Sequence, residues 1–223
     1  MNSHHLAGGY DPRLQDNVHT LQSLIDLAQS LSLTFNIITP SSTSKKVDLP
    51  PLSNTSLTLH NPHILFLLNF TTAQRTALLT SPSTKALLYT PANEHFGIGP
   101  VEGMICGVPV LACDSGGPME SIVDQPVEKR TGWLRAPEVG LWAEAVLEIV
   151  EMSEEGRAAL AARAKERAGA LFGMEAMARG LEEALVEAVG MGEVGRLGVV
   201  LWLVVVGFVA ACVAGACTGV GIE

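Results

Sequence analysis

The chain is poor in positive charge. It carries 14 Lys and Arg against 23 Asp and Glu, a formal net charge of -9 over 223 residues. No basic block exceeds Lys45-Lys46 or Lys129-Arg130. A chain this acidic has no electrostatic footprint for nucleic acid. Aromatic residues make up 5% of it, too few for a base-stacking platform. Cysteine is scarce as well. Cys106, Cys113, Cys212 and Cys217 show no C-x-x-C spacing and no paired His ligands, which argues against a zinc ribbon or a dithiol redox centre. They read as small buried hydrophobes in a reducing compartment, and no metal site is expected. Residues 1–11 lack the apolar core of a signal peptide.

One long apolar run is present. Residues 197–217 contain no charged, Asn, Gln or His side chain. As a helix these 21 residues reach about 31 Å, enough for a hydrocarbon core of about 30 Å. A transmembrane or membrane-embedded helix is the expectation, with a buried C-terminal helix as the alternative. Arg196 just before the run favours a cytosolic N-terminal side.

Upstream of the tail, residues 1–190 alternate strand and helix. Residues 1–6 make a poor strand, followed by a Gly8-Gly9-Tyr10-Asp11 turn. Val18, Leu21, Leu24, Ile25, Ala28 and Leu31 recur at helical spacing within 12–33. Strands are expected at 34–39, 64–70, 85–90, 108–113 and 132–134. A Ser, Thr and Pro-rich insertion loop occupies 40–62. Thr71 or Thr72 is placed to cap a helix over 73–79. Further helices are expected at 98–106, stopped by Gly107, at 118–123 with Pro118 first, and at 139–152, 153–172 and 174–189. The acidic faces of the last three do not favour anionic lipid. Strand and helix alternating at this spacing imply an α/β fold with one parallel sheet covered on both faces.

Ligands of such sheets bind at the C-terminal ends of the strands. There the sequence places Glu94, His95, Phe96, Gly97, Ile98, Gly99, Pro100, Val101 and Glu102. Glu94 falls on the loop before the helix, and Glu102 is expected within its first turn, where both charges complement the helix N-terminus. Carboxylates accept paired hydrogen bonds and so suit sugar and ribose hydroxyls. Gly97 and Gly99 let backbone approach a ligand. Ordinary surface acids complementing a helix dipole remain the alternative. Gly116 and Gly117 form a second strand-to-helix turn, with free amides suited to phosphate or simply a tight turn with Glu120 behind it. Gly8 and Gly9 are a weaker instance.

Together these residues resemble a known family. Leu88-Tyr89-Thr90-Pro91, Asn93 to Gly97, Pro100, Glu102, Met104, Gly107, Pro109-Val110, Ser115-Gly116-Gly117-Pro118, Glu120 to Val123 and Thr131-Gly132-Trp133-Leu134 are similar to the C-terminal half of the retaining, nucleotide-sugar-dependent GT-B glycosyltransferases with an E-x7-E motif, glycosyltransferase family 4. Gly8-Gly9-Tyr10-Asp11 with Asn17-Val18 resembles its dolichol-pathway mannosyltransferases, fungal ones above all. The resemblance implies a Rossmann-like donor-binding half that takes GDP-mannose, with no cofactor. Glu94 would contact hydroxyls of the transferred sugar at the reacting centre. Glu102 would bind the ribose, with His95 beside the sugar. The backbone of Phe96, Gly97 and Ile98 would approach sugar and diphosphate. Gly8 and Gly9 would border the nucleotide, and Gly116 and Gly117 would line the donor site. The acceptor would be a dolichyl-diphosphate-linked oligosaccharide on the cytosolic face of the endoplasmic reticulum membrane. It would receive one α-1,3 and one α-1,6 mannose, in assembly with other glycosyltransferases of that pathway.

The sequence departs from the family in three places. The family's acceptor-side domain has no counterpart here. Neither has the first strand and helix of the donor half, with its diphosphate-neutralising Arg and Lys. Gly103 replaces the alanine usual after the second acid. The expectation is that this polypeptide alone transfers little or no mannose. Rival expectations are another lipid-linked sugar transfer on the same fold and a non-catalytic, membrane-anchored nucleotide-binding fragment. The sequons at Asn54 and Asn69 are expected to remain unmodified.

Overall fold

Short strands paired in parallel, most of them followed by a helix, build the described part of the protein. The computed structural model describes residues 4–39, 49, 61–191 and 201–210. Strand β1 (His4–Gly8) leads to helix α1 (Gln15–Ser30) and strand β2 (Phe35–Ile38). Strand β3 (Ile64–Leu68) follows, then helix α2 (Thr72–Thr80) and strand β4 (Leu87–Tyr89). Next come α3 (Ile98–Cys106), β5 (Val110–Cys113), the single turn α4 (Pro118–Ser121) and β6 (Trp133–Arg135). Helices α5 (Val139–Glu151), α6 (Glu154–Phe172) and α7 (Met174–Gly190) complete it.

The strands form two three-stranded parallel sheets, ordered β1-β3-β2 and β4-β5-β6. His4 and Phe35 flank Ile64 in the first, and Leu111 stands between Leu88 and Trp133 in the second. This corrects the single sheet expected from the sequence. Strand periodicity reports which face is buried, not which neighbour a strand finds, and β1 and β4 do not pair with each other.

Each sheet carries its own core. In the first, Leu21, Ile25 and Ala28, one helical stripe of α1, pack with Tyr10 on Phe35, Phe66 and Leu68. The rings of Phe35 and Phe66 meet edge to face, centroids 5.8 Å apart. In the second, β5 is buried along its whole length. Met104 of α3 with Ala164 and Ala168 of α6 fill one face, and Trp133, Ala145, Ile149 and Leu160 fill the other. Gly103 fits here. A Cβ on it would lie 2.8 Å from Cγ2 of Val110 and 2.9 Å from Cδ2 of Leu87, so the glycine lets α3 sit close on β4 and β5.

The helix ends follow local rules. Thr71 caps α2 in a reciprocal box with Gln74, and Gly107 ends α3 in the left-handed conformation at φ 75°. Helix α4 is shorter than expected, because Ile122 is already extended beyond Ser121. Contact between α2 and α3 joins the two sheet units. Of the expected apolar span, residues 201–210 are helical, and the rest lies outside the described residues, as does nearly all of the 40–62 insertion. Among the described residues no helix is long and apolar enough to cross a membrane.

Candidate functional site

The acid loop leaves the C-terminal end of β4 and runs to the start of α3. Asn93 takes φ 57° and Gly97 takes φ 73°. These two left-handed residues turn the chain back over the sheet edge, with Glu94 between them. Glu94 is half-buried, whereas His95, Phe96 and Ile98 are exposed.

Three bonds lace this loop to the turn after β5. The Asn93 amide donates to Ser115 Oγ at 3.0 Å, and Cys113 Sγ donates to the Thr90 carbonyl at 3.3 Å. The Gly117 amide donates to the Glu94 carbonyl at 2.8 Å. The glycines are sterically required there. A Cβ on Gly116 would stand 2.1 Å from the Glu94 carbonyl oxygen, and one on Gly117 would stand 2.3 Å from Cα of Phe96. Of the two alternatives for that turn, the geometry is that of the tight turn. The Gly117 N–H is used to hold the acid loop, and α4 is a single turn with little dipole to offer an anion.

Tyr89, the last residue of β4, is the floor of the loop. A Cβ on Gly97 would come within 3.1 Å of its ring, and one on Gly99 within 2.8 Å. Both glycines therefore make room for this phenol. Burial first, then the negative charge of Glu94, raise the Tyr89 hydroxyl above its usual pKa. The phenol stays protonated beside the carboxylate at neutral pH. On the far side, the exposed ring of Phe96 meets Phe172 of α6 edge to face at 5.4 Å.

Glu102 lies one turn deeper than expected. It is the fifth residue of α3, and the first turn of that helix has no acid. The helix-terminal field fades within one turn, so dipole complementation does not account for this carboxylate. Its partner is Arg75 of α2, whose Nη2 lies 2.9 Å from Oε1. Neither Tyr89 nor Arg75 was singled out as a site residue from the sequence. Tyr89 could have been suspected from the two glycines eight and ten residues on, but Arg75 carries no local signal.

Gly8 ends β1 and Gly9 follows it, at the C-terminal edge of the other sheet. A Cβ on either would meet nothing within 4 Å, so both border open space. The turn they enter is braced by Asn69, which accepts from the Tyr10 amide and donates to the Tyr10 carbonyl, each at 2.8 Å. The Asn69 amide in turn donates to the Gly8 carbonyl at 2.9 Å. The Asp11 amide donates to Asn17 Oδ1 at 3.0 Å. Among the described residues, no hydrogen bond or ion pair links Gly8 or Gly9 to the acid loop. The structure thus brings Glu94, Phe96, Gly97, Gly116 and Gly117 together and leaves Gly8 and Gly9 in the neighbouring unit. Burial and the charge of Asp114 raise the thiol pKa of Cys113, so the covered side chain stays a thiol and keeps its bond to the Thr90 carbonyl.

Known proteins share this arrangement of elements. The chain is 37% identical over 217 residues to the alpha-1,3/1,6-mannosyltransferase of Neurospora crassa, covering 96% of this chain and 42% of that one. It is 35% identical to the enzyme of the same name from Rhizomucor pusillus, covering 93% of this chain and 42% of that one. The Saccharomyces cerevisiae enzyme is 35% identical, with 80% and 35% covered. The chain thus spans about two fifths of the length of these relatives. Among solved structures, sucrose-phosphate synthase from Thermosynechococcus elongatus matches with a TM-score of 0.57 at 22% identity, over 84% of this chain and 39% of that one. HepE of Anabaena, solved with UDP and glucose, matches with a TM-score of 0.58 at 20% identity, over 83% and 40%. These two share the fold. The family model for glycosyl transferases group 1 matches residues 18–167, and the chain belongs to that family.

Proposed function

We propose that this chain is the donor-binding part of a mannosyltransferase that moves mannose from GDP-mannose to a dolichyl-diphosphate-linked oligosaccharide, in α-1,3 and α-1,6 linkage. The observation that carries the reading is the pair of acids on one loop-helix unit at the C-terminal edge of β4. Glu94 is held by its own carbonyl against Gly117, and Glu102 is held by Arg75. The mannosyltransferase names of its relatives supply the sugar and the linkages.

In the reaction, the bond between the anomeric carbon and the diphosphate oxygen breaks, and GDP departs. A bond from that carbon to an acceptor hydroxyl oxygen forms, and the hydroxyl proton passes to a diphosphate oxygen of the departing GDP. Glu94 accepts hydrogen bonds from mannose hydroxyls and orients the sugar beside its reacting carbon. Glu102 accepts from the ribose hydroxyls. The amides near Phe96, Gly97 and Ile98 lie along the diphosphate, His95 stands beside the sugar, and Gly8 and Gly9 leave room for the nucleotide. Gly116 and Gly117 keep the acid loop in register. Residues 197–217 anchor residues 1–190 to the endoplasmic reticulum membrane, with the donor site on the cytosolic side.

Calorimetric titration of the chain with GDP-mannose, GDP and UDP tests this. Saturable heat is expected from the two guanine ligands, with UDP at least about tenfold weaker, a discrimination of about 1.4 kcal/mol. Glu94→Gln should weaken GDP-mannose more than GDP, and Glu102→Gln should weaken both. No heat and no melting shift at millimolar GDP-mannose would overturn the reading. UDP binding as tightly as GDP would transfer it to a different sugar nucleotide.

A further inference from the structure

We propose that Arg75 is a positioning residue for Glu102. It would fix one carboxylate oxygen so that the other meets the ribose hydroxyls of the bound nucleotide. The inference rests on the reading of Glu102 as the ribose ligand and adds a residue from a different element to that site.

Arg75 Nη2 lies 2.9 Å from Glu102 Oε1 across the α2–α3 contact. The direction of Arg75 is set locally. The Thr71 and Gln74 side chains each bond the other residue's backbone N–H, and the Arg75 amide donates to the Thr71 carbonyl at 3.0 Å. The phase of the first turn of α2 is therefore fixed, and Arg75 emerges toward α3. Glu102 is held on the other side by the packing of α3. Its neighbours Val101, Gly103 and Met104 are buried against β4, β5 and α6.

A carboxylate has about four lone-pair positions on two oxygens. A guanidinium engaged with Oε1 leaves the positions of Oε2 for a diol, and it restricts the rotamers among which an unpaired Glu would wander. Arginine suits the task, since it remains charged at every working pH. It also offsets a negative charge where a nucleoside diphosphate would approach a chain of net charge -9. The pair contributes little to folding. The two side chains are 37% and 26% exposed, and ion pairs at such sites contribute about 0–1 kcal/mol. A positioning role and a structural role therefore give opposite signatures in binding and melting.

The test titrates the full chain and its Arg75→Ala, Arg75→Lys, Glu102→Ala and double variants with two probes, GDP and 2′,3′-dideoxy-GDP. The wild-type chain should prefer GDP by about tenfold or more, the usual scale of a hydrogen bond to a charged group. Arg75→Ala should lose most of that preference while keeping its melting midpoint within about 2–4 °C, the shift expected for 1 kcal/mol in a chain of this size. Arg75→Lys should restore part of it. In the Glu102→Ala background, removing Arg75 should change nothing further. Full retention of the ribose preference in Arg75→Ala would overturn the proposal, as would equal weakening of both probes, which would make Arg75 a phosphate ligand. Absence of GDP binding by the wild-type chain would overturn the proposed function and this inference together. Retained binding with an unaltered preference would overturn this inference alone.

Discussion

Gly117→Ala puts the acid loop under direct steric load. The new Cβ would stand 2.3 Å from both Cα and the carbonyl oxygen of Phe96. Those are backbone atoms, so no side-chain rotation relieves the clash. Either the turn after β5 or the loop carrying Glu94 must move. Movement of either breaks the 2.8 Å bond from the Gly117 amide to the Glu94 carbonyl. Overpacking of this kind costs about 1–3 kcal/mol and the lost hydrogen bond about 1 kcal/mol, a total of roughly 2–4 kcal/mol. For a chain of this length that lowers the melting midpoint by roughly 4–16 °C.

Gly180→Ala is the matched control. Gly180 lies inside α7, where a Cβ would meet nothing within 4 Å, so the same substitution should stabilise by about 0.5–1 kcal/mol. Urea and thermal melts of the three proteins, followed by far-ultraviolet circular dichroism, measure both signs. Gly117→Ala melting with or above wild type would show that the acid loop and the glycine turn are not in contact. The account of how Glu94 is held would then fail.

Two further perturbations read other parts of the molecule. Asn69→Ala removes both bonds to Tyr10 and leaves a residue with a Cβ at φ 54° in place of one that tolerates it, so a loss of about 2–3 kcal/mol is expected in urea unfolding. Asn69→Gly, which keeps the φ but not the bonds, should recover about 1 kcal/mol of it. Hydrogen bonds and the charge from Arg13 hold the Asp11 carboxyl down at about 2. A depressed carboxylate stabilises the fold above its ordinary pKa of 3.8, and that contribution disappears as pH falls from there through about 2. Titration by NMR should find Asp11 near 2, and Arg13→Ala should return it to the usual carboxylate range. An unmoved Asp11 in that variant would exclude Arg13 as the cause.

Much of the fold was legible because local chemistry encodes it. Helix 98–106 is read correctly at both ends, since Gly107 can end it left-handed and Pro100 sits in the first turn, where its missing N–H breaks no bond. The Thr71 cap with Gln74 is likewise a local pattern. Strand pairing is not. His4 to Leu6 is an unpromising strand by composition, and it forms because β3 stands beside it, some sixty residues on. Tertiary contact overrode propensity there. Gly103 shows the same asymmetry. As a helix residue it is a defect of up to about 1 kcal/mol, and only the nearness of Val110 and Leu87 explains it. At the candidate site, the two acids stand out in the sequence by their spacing and by the family resemblance around them. Their supports do not, because Arg75 and Gly117 act on Glu102 and Glu94 across 27 and 23 positions.

The dependence on distant chain goes furthest in α6. Arg157 donates to the carbonyls of Lys85, just before β4, and of Ile149, near the end of α5. Arg163 donates to the Arg130 carbonyl. Arg167 donates to the carbonyls of Ser121 and Glu120, which close α4 and would otherwise lack intrahelical partners. Phe172 then meets Phe96 of the acid loop edge to face. Four residues spaced along one helix hold the approach to β4, the end of α5, the approach to β6, the turn after β5 and the acid loop. Each guanidinium directs charge at backbone carbonyls, a stronger bond than a neutral donor gives. The helix has little amphipathic character in its sequence because this polar edge does structural work beside the alanine stripe of Ala164 and Ala168. The acid loop buries Gly97 but leaves Glu94 half-buried and His95, Phe96 and Ile98 exposed, so it has little core of its own. Its support comes from the turn after β5, which Arg167 of α6 braces, and from the ring contact of Phe96 with Phe172 on the same helix.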